Sequence, residues 1–374
     1  VRTGAREHAV TGRPRALGAV AVALGLIGCP DTELPGGDLA GTAVCSSEVV
    51  EAFRAASQAG HRDDLWIAFV DVGQGDAIWI RTPGERDAAA HEILVDAGDN
   101  GTFGRSDGGA ALIDFMTENE WPPGSPIHAL IVTNPDQDHY GGAQALLFGQ
   151  RGYDVGLYAD PGRASESEGY TRFIGDVEAK PGLELLRPAR TLLPARFPGF
   201  SDGQVVFTLL SSDENAPTEN GASIVLRVDF AGRRVLLTGD AEAETLEALA
   251  VARPNDVRAN VLKVSHHGSK NNSPRTFLDA VFPTETAASL DRYAVVPVGP
   301  GNTYGHPESG VLESLTEAVG LRGLYRTDRG DAGKGLGEGP GDDHVLLRIT
   351  PDGQLTVCYT YPDTPAPAAP PGAP

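Results

Sequence analysis

Three short segments narrow what this chain can fold into. Each closes an apolar, strand-like run, and each carries Asp or His. They are Thr133-Asn134-Pro135-Asp136-Gln137-Asp138-His139-Tyr140-Gly141-Gly142, Thr238-Gly239-Asp240-Ala241-Glu242 and Val264-Ser265-His266-His267-Gly268-Ser269. A strand end aims such side chains into a cleft from a stiff base. Further strand-like runs cover Leu65–Val72, Ala77–Arg81, Glu92–Asp96, Ala129–Thr133, Val205–Leu210, Ser223–Phe230, Arg234–Thr238, Asn260–Val264, Tyr293–Val298 and His344–Ile349. Helical patterns lie at Gly108–Asn119, Gly142–Phe148, Glu242–Val251, Pro274–Val281 and Glu308–Val319. This alternation predicts a layered α/β domain, and the adjacent strand pairs predict mixed sheets. One domain over residues 61–361 accommodates all of it.

Imidazole nitrogen and carboxylate oxygen are the donors that Zn²⁺ or Mn²⁺ prefers. Hydrolysis by such an ion requires open coordination positions. Asp138, His139, Asp240 and one of His266 and His267 therefore make a candidate ligand set. Each segment alone is weak, because Asp-His pairs and Gly-Asp turns are common on surfaces. Their joint order at strand ends carries the signal.

The termini read as an address and a tail. Arg2, Arg6, Arg13 and Arg15 precede an apolar run from Ala16 to Gly28, the pattern of a secretory signal peptide over 1–28. The run ends Leu26-Ile27-Gly28-Cys29, which resembles a bacterial lipobox with Cys29 as the lipidated residue. An exported, membrane-anchored bacterial lipoprotein on the periplasmic or cell-surface side is expected, touching the membrane through its lipid alone. Residues 29–60 read as a tether and a short helix, and 362–374 as a disordered Pro/Ala tail. Cys45 and Cys358 are the remaining thiols and a disulfide candidate in an oxidising compartment. No apolar run approaches the roughly 20 residues of a membrane span, so no transmembrane channel is expected in this chain. With 30 basic against 51 acidic residues the net charge is −21, which argues against coating nucleic acid by bulk charge. It leaves room for a local grip by Lys263, Lys270, Arg275, Arg326 and Arg329.

The motifs, in order, resemble the metallo-β-lactamase fold, specifically the hydrolase-like domain of ComEC-type DNA-uptake proteins. Phe69-Val70-Asp71-Val72-Gly73-Gln74-Gly75-Asp76-Ala77 is similar to that group's opening strand and turn. Ile93-Leu94-Val95-Asp96-Ala97-Gly98 resembles the motif whose Asp supports the metal loop, and 133–142 resembles the loop itself, H-x-H-x-D-H in the wider fold. Asn220 to Arg227, Leu237 to Glu242, Lys263 to Ser269, Asn302 to Pro307 and Tyr325 to Arg329 are similar to the later motifs. The resemblance covers roughly 65–350. It implies an αββα sandwich with mixed sheets, a divalent metal cofactor (Zn or Mn, one or two ions) and phosphodiester cleavage in DNA. Carried over by position, Asn134, Asp136, Asp138, His139, Asp240, His266 and His267 are the metal-ligand candidates, with Asp240 as the bridge. Asp136, Asp138 and His306 are the catalytic candidates, with Asp136 or His306 moving protons. Ser269, Lys270, Asn302 and Tyr304 would bind substrate, and Asp71, Asp76 and Asp96 would support the loops.

Two departures matter. Asn134 stands where the wider fold has its first His, and none of the nine His lies between His139 and His266. Amide oxygen is a poor partner for Zn²⁺ but acceptable to Mn²⁺. The leading expectation is a metal-dependent phosphodiesterase acting on nucleic acid. The alternatives are a one-metal or metal-free module that binds DNA or a protein partner, and a metallohydrolase of lactones, β-lactams or small phosphodiesters. The residues name no protein partner.

Overall fold

The computed structural model describes residues 43–56, 63–84, 90–101, 107–188, 195–196, 204–284, 291–300, 302–328 and 344–360. The expected signal segment 1–28, the expected lipidation site Cys29, the part of the expected tether up to 42, Arg329 and the expected tail 362–374 lie outside them.

The strands are β1 Leu65–Phe69, β2 Ala77–Arg81, β3 Glu92–Ala97, β4 Pro126–Ile131, β5 Asp154–Ala159, β6 Glu184–Leu186, β7 Ala195–Arg196, β8 Val206–Ser211, β9 Val225–Phe230, β10 Arg233–Leu237, β11 Val261–Lys263, β12 Tyr293–Val296, β13 Leu324–Arg326, β14 Val345–Ile349 and β15 Leu355–Tyr359. The helices are α1 Ser47–Ala55, α2 Gly108–Glu118, α3 Gln137–Tyr140, α4 Ala143–Phe148, α5 Glu168–Ala179, α6 Ala243–Ala252, α7 Pro254–Val257, α8 Arg275–Val281 and α9 Ser309–Val319. One sheet runs β15-β14-β1-β2-β3-β4-β5-β6, and the other runs β13-β12-β11-β10-β9-β8-β7. In the first, β3 through β6 are parallel. In the second, β10 through β13 are parallel. The remaining pairs are antiparallel, so both sheets are mixed, as expected.

Alternation along each strand sorts the side chains. Leu65, Ile67 and Phe69 face Leu226, Val228 and Val235 of the other sheet in a central core. Trp66, Ala68 and Trp79 turn the opposite way, onto Phe53 of α1 and Leu112 and Met116 of α2. On the far side Leu236 and Leu262 pack on Leu246 of α6, Phe277 of α8 and Leu315 of α9. Sheets covered on both faces carry apolar residues at every position, and β1, β2 and β3 are buried throughout. Each large apolar side chain so enclosed contributes about 1.5–3 kcal/mol. The result is the αββα sandwich.

The amino-terminal helix is clasped to this body. Ser46 caps α1, accepting from Val49 N at 3.4 Å. Arg81, fully buried, stacks on Trp79 at 4.5 Å and donates to Phe53 O at 2.5 Å. Val44 pairs with Tyr359, so the end of the expected tether is joined to the sheet. Cys45 and Cys358 are joined by a disulfide, 5.0 Å apart at Cα and 313 residues apart in sequence.

Candidate metal centre

Parallel strands place ligand groups beyond their carboxyl ends. Here β3 delivers Asp96, the turn after β4 delivers residues 133–139, β10 delivers Asp240, and β11 delivers Lys263 and the two histidines. Both sheets contribute, so the cleft spans them. His266 and His267 sit at φ 49° and 51°, a left-handed conformation that costs a non-glycine residue stability. Neighbours hold it: Ser265 Oγ donates to Ala241 O at 2.6 Å, and Ser269 N donates to His266 O at 2.8 Å.

The two inner imidazoles are oriented from behind. His139 Nδ1 lies 2.9 Å from Asp96 Oδ2, and His267 Nδ1 lies 2.8 Å from the Pro297 carbonyl. A carbonyl only accepts, so His267 Nδ1 carries a proton and Nε2 faces the cleft. His139 Nε2 lies 3.2 Å from Asp240 Oδ2, while His267 Nε2 lies 3.3 Å from Asp138 Oδ2 and 3.5 Å from Asp240 Oδ2. Both Nε2 atoms are buried without a well-formed hydrogen bond. Donor atoms of Asp138, His139 and His267 lie within 4.8 Å of one another, as do those of Asp76, His139 and Asp240. Two buried imidazole nitrogens aimed at two carboxylates fit a divalent ion of the zinc type. Asp138, His139, Asp240 and His267 are the residues that would hold it.

Charge in this cleft is strongly coupled. Burial, the largest single influence, would lower both imidazoles, but the surrounding carboxylates together outweigh it, Asp240 and Asp96 at His139 and Asp240, Asp138 and Asp76 at His267: His139 is raised well above its usual value, and His267 is pushed up to about 9. Burial alone would raise Asp138 and Asp240, but the imidazoles hold both below the carboxylate range.

Of the alternatives at 266 and 267, His267 is the one that reaches Asp138. His266 stands at the rim, 28% exposed, with Nε2 3.8 Å from Asp240 Oδ2 and Nδ1 2.9 Å from Asn272 Nδ2. His306 packs against it, ring centroids 5.6 Å apart. Burial first, then the charges of His266 and His267, lower the His306 imidazole. Asn302 organises its loop, accepting from Tyr304 N at 3.2 Å and His306 N at 3.1 Å. Tyr304 is half-exposed beside His306, and Ser269 and Lys270 follow the histidine turn. Asp76 and Asp96 meet the loop directly, Asp96 Oδ1 accepting from Thr133 N at 2.7 Å, while Asp71 closes its own turn. Asp76 N donates to Asp138 O at 3.1 Å, and Asp71 Oδ1 accepts from Gly73 N at 3.0 Å.

The structure departs from the sequence reading at three places. Asn134 is buried, and its Oδ1 accepts from Asp136 N at 2.8 Å, closing its own turn. Asp136 is raised to about 7, by burial first and then by a hydrogen bond to Glu219, a residue the sequence reading passed over although it adjoins the Asn220 motif. Lys263 is not a phosphate grip. Its fully buried ammonium pairs with Asp76, lies 3.4 Å from Asp240 Oδ1 and donates to Gly239 O at 2.7 Å. Arg275 and Arg326 are likewise engaged, with Asp279 and Asp328.

Residues 70–288 match the family model of the metallo-beta-lactamase superfamily, and the chain belongs to that superfamily. Its relatives are competence proteins of the ComEC type. It is 30% identical over 277 residues to ComE operon protein 3 of Bacillus subtilis, covering 70% of this chain and 32% of that protein. It is 30% identical over 270 residues to competence protein ComA of Neisseria gonorrhoeae, covering 72% of this chain and 32% of that one. The chain thus spans about a third of these relatives' length. Among solved structures it resembles the metallo-beta-lactamase fold protein YhfI of Bacillus subtilis (TM-score 0.43, 11% identity, 72% of this chain and 98% of that one). Zn(2+)-bound PqqB of Methylobacterium extorquens is similar at TM-score 0.38 and 16% identity, over 78% of this chain and 96% of that one.

Proposed function

We propose that the chain is an exported, lipid-anchored, metal-dependent phosphodiesterase whose substrate is nucleic acid, most directly DNA. The observation that carries the catalytic reading is the pair of buried Nε2 atoms, of His139 and His267, aimed at Asp138 and Asp240. The competence relatives favour DNA as the substrate. Asp138, His139, Asp240 and His267 would hold a divalent ion, which would supply positive charge against phosphoryl oxygens and acidify water. The chain's own groups do the rest. Asp96 and the Pro297 carbonyl fix the imidazoles, and Lys263 fixes Asp240. Asp136, near neutrality in its proton affinity, is matched to deliver a proton to a departing alkoxide. His306, kept neutral at the mouth, accepts one.

The test is metal-dependent nicking of DNA by the purified chain. Asp240→Ala should abolish it, and so should a chelator. Nicking that survives either treatment would remove the metal centre from the reaction.

Asn134 favours a second reading, a one-ion or metal-free binding module, because its amide oxygen and the Asp136 carboxyl are both already engaged. Metal per chain, counted by elemental analysis, separates the two. About two equivalents means the oxygen donors still bind an ion; one or none supports the binding module. The basic segment and apolar run ending at Cys29 support export and lipidation, as does the Cys45–Cys358 disulfide. Fatty-acid labelling that persists in Cys29→Ser would overturn the anchor.

A further inference from the structure

A sizeable cavity among the described residues lies away from the metal centre. It holds about 610 Å³ and is lined by Arg233, Arg234, Arg258 and Arg292, with Asp229 the one acid in its described lining. Arg233 opens β10, Arg258 precedes β11 and Arg292 precedes β12. These are the amino ends of strands whose carboxyl ends carry Asp240, Lys263 and Pro297. The cavity and the cleft therefore lie at opposite ends of the same strands.

We propose that this cavity is a second binding site, for a phosphate group, either free or as the terminal phosphate of a small molecule such as a nucleotide. Its volume is that of a small-molecule site. Four arginines line one cavity in a chain with net charge −21. Guanidinium presents a planar fork of donors that matches phosphate oxygens in pairs. Three of the forks are braced. Arg233 Nε donates to Gly353 O at 2.6 Å, Arg234 Nη1 to Asn255 O at 2.9 Å, and Arg292 Nη2 to Pro283 O at 2.6 Å. Carbonyl partners orient a guanidinium without cancelling its charge. Carboxylates offset only part of the total: Asp229 lies 3.0 Å from Arg234, and Asp291 lies 2.9 Å from Arg233. Arg258, partly exposed in the lining, has no hydrogen bond or ion pair among the described residues. An arginine held in a cavity without an anion is the group a phosphate would satisfy. Phe282, in the same wall, gives the cavity an apolar side suited to the body of a phosphomonoester.

The site is independent of the metal centre, and its test is arranged to show that. The full chain is titrated calorimetrically in chelator with inorganic phosphate and, separately, with a deoxynucleoside 5′-monophosphate. The same titrations are run on Arg258→Ala, Arg258→Glu and Asp240→Ala. Binding is expected in the parent chain and in Asp240→Ala. It should weaken about tenfold in Arg258→Ala and vanish in Arg258→Glu. Tighter binding of the nucleotide identifies a phosphomonoester as the ligand, and equal affinity identifies free phosphate. Arg258 makes no hydrogen bond or ion pair among the described residues, so thermal melts of its variants should match the parent. No heat at millimolar anion, binding indifferent to Arg258→Glu, or binding lost in Asp240→Ala would each overturn the proposal.

Discussion

Lowering pH should act on this protein through His344, a residue at the head of β14. Its Nδ1 accepts from Asp71 N at 2.9 Å, so the ring must be unprotonated at that atom. Burial lowers the imidazole from its ordinary value to about 3. The unfolded chain takes up a proton near pH 6.5, and the folded chain does not until pH falls far lower. Between those values the unfolded state binds more protons, so stability falls as pH falls. At about 1.4 kcal/mol per pH unit, a drop from pH 7 to 4.5 costs about 2.5 kcal/mol. His344→Gln keeps an acceptor for Asp71 N and removes the titration. Urea unfolding of both proteins at the two pH values, in chelator, isolates the effect, because the cleft residues titrate alike in each. The parent should lose about 2.5 kcal/mol more than the variant. Equal losses would refute the assignment. The consequence is functional, since the turn that His344 anchors begins the segment ending in Asp76 beside Asp138.

Other perturbations have equally definite outcomes. Lys263→Met takes the ammonium from Asp76 and Asp240, leaves them only the imidazoles of His139 and His267, and should cost about 3 kcal/mol in urea unfolding of the metal-free chain. Gly75→Ala places a methyl group against the Asp138 carbonyl at φ +131°, so metal content per chain should fall while circular dichroism stays native-like. Reducing the Cys45–Cys358 disulfide should destabilise the fold by about 2–4 kcal/mol, read from urea midpoints with and without reductant.

The metal cleft was legible because its donors cluster at strand ends in compact segments. Asp138, His139, Asp240 and His267 were all named from sequence, and the structure brings them together. What spacing cannot supply is which of two adjacent histidines turns inward; that follows from the left-handed backbone at both and the carbonyl of Pro297. Lys263 was misread because a lysine's position says nothing about which way its stem runs, and here it runs inward to two carboxylates. Glu219 escaped because its partner Asp136 is 83 residues distant, although the adjoining Asn220 motif was recognised. In the fold, α5 went unread although Tyr170, Phe173 and Val177 line one face, since Gly169 and Gly175 dilute its helical propensity. β5 and β6 escaped with it, and β13 and β15 are short edge strands whose pairing rather than composition defines them.

The disulfide has a mechanical consequence. Because Cys45 and Cys358 stand 5.0 Å apart, whatever precedes and follows them leaves the domain at a single point. Tension applied along the flanking chain runs across that one covalent link and the Val44–Tyr359 pairing, and it does not pass through β1 or the strands that bear the ligands. Load on the flanking chain is therefore borne at the β15 end of the sheet, and the ligand geometry does not carry it.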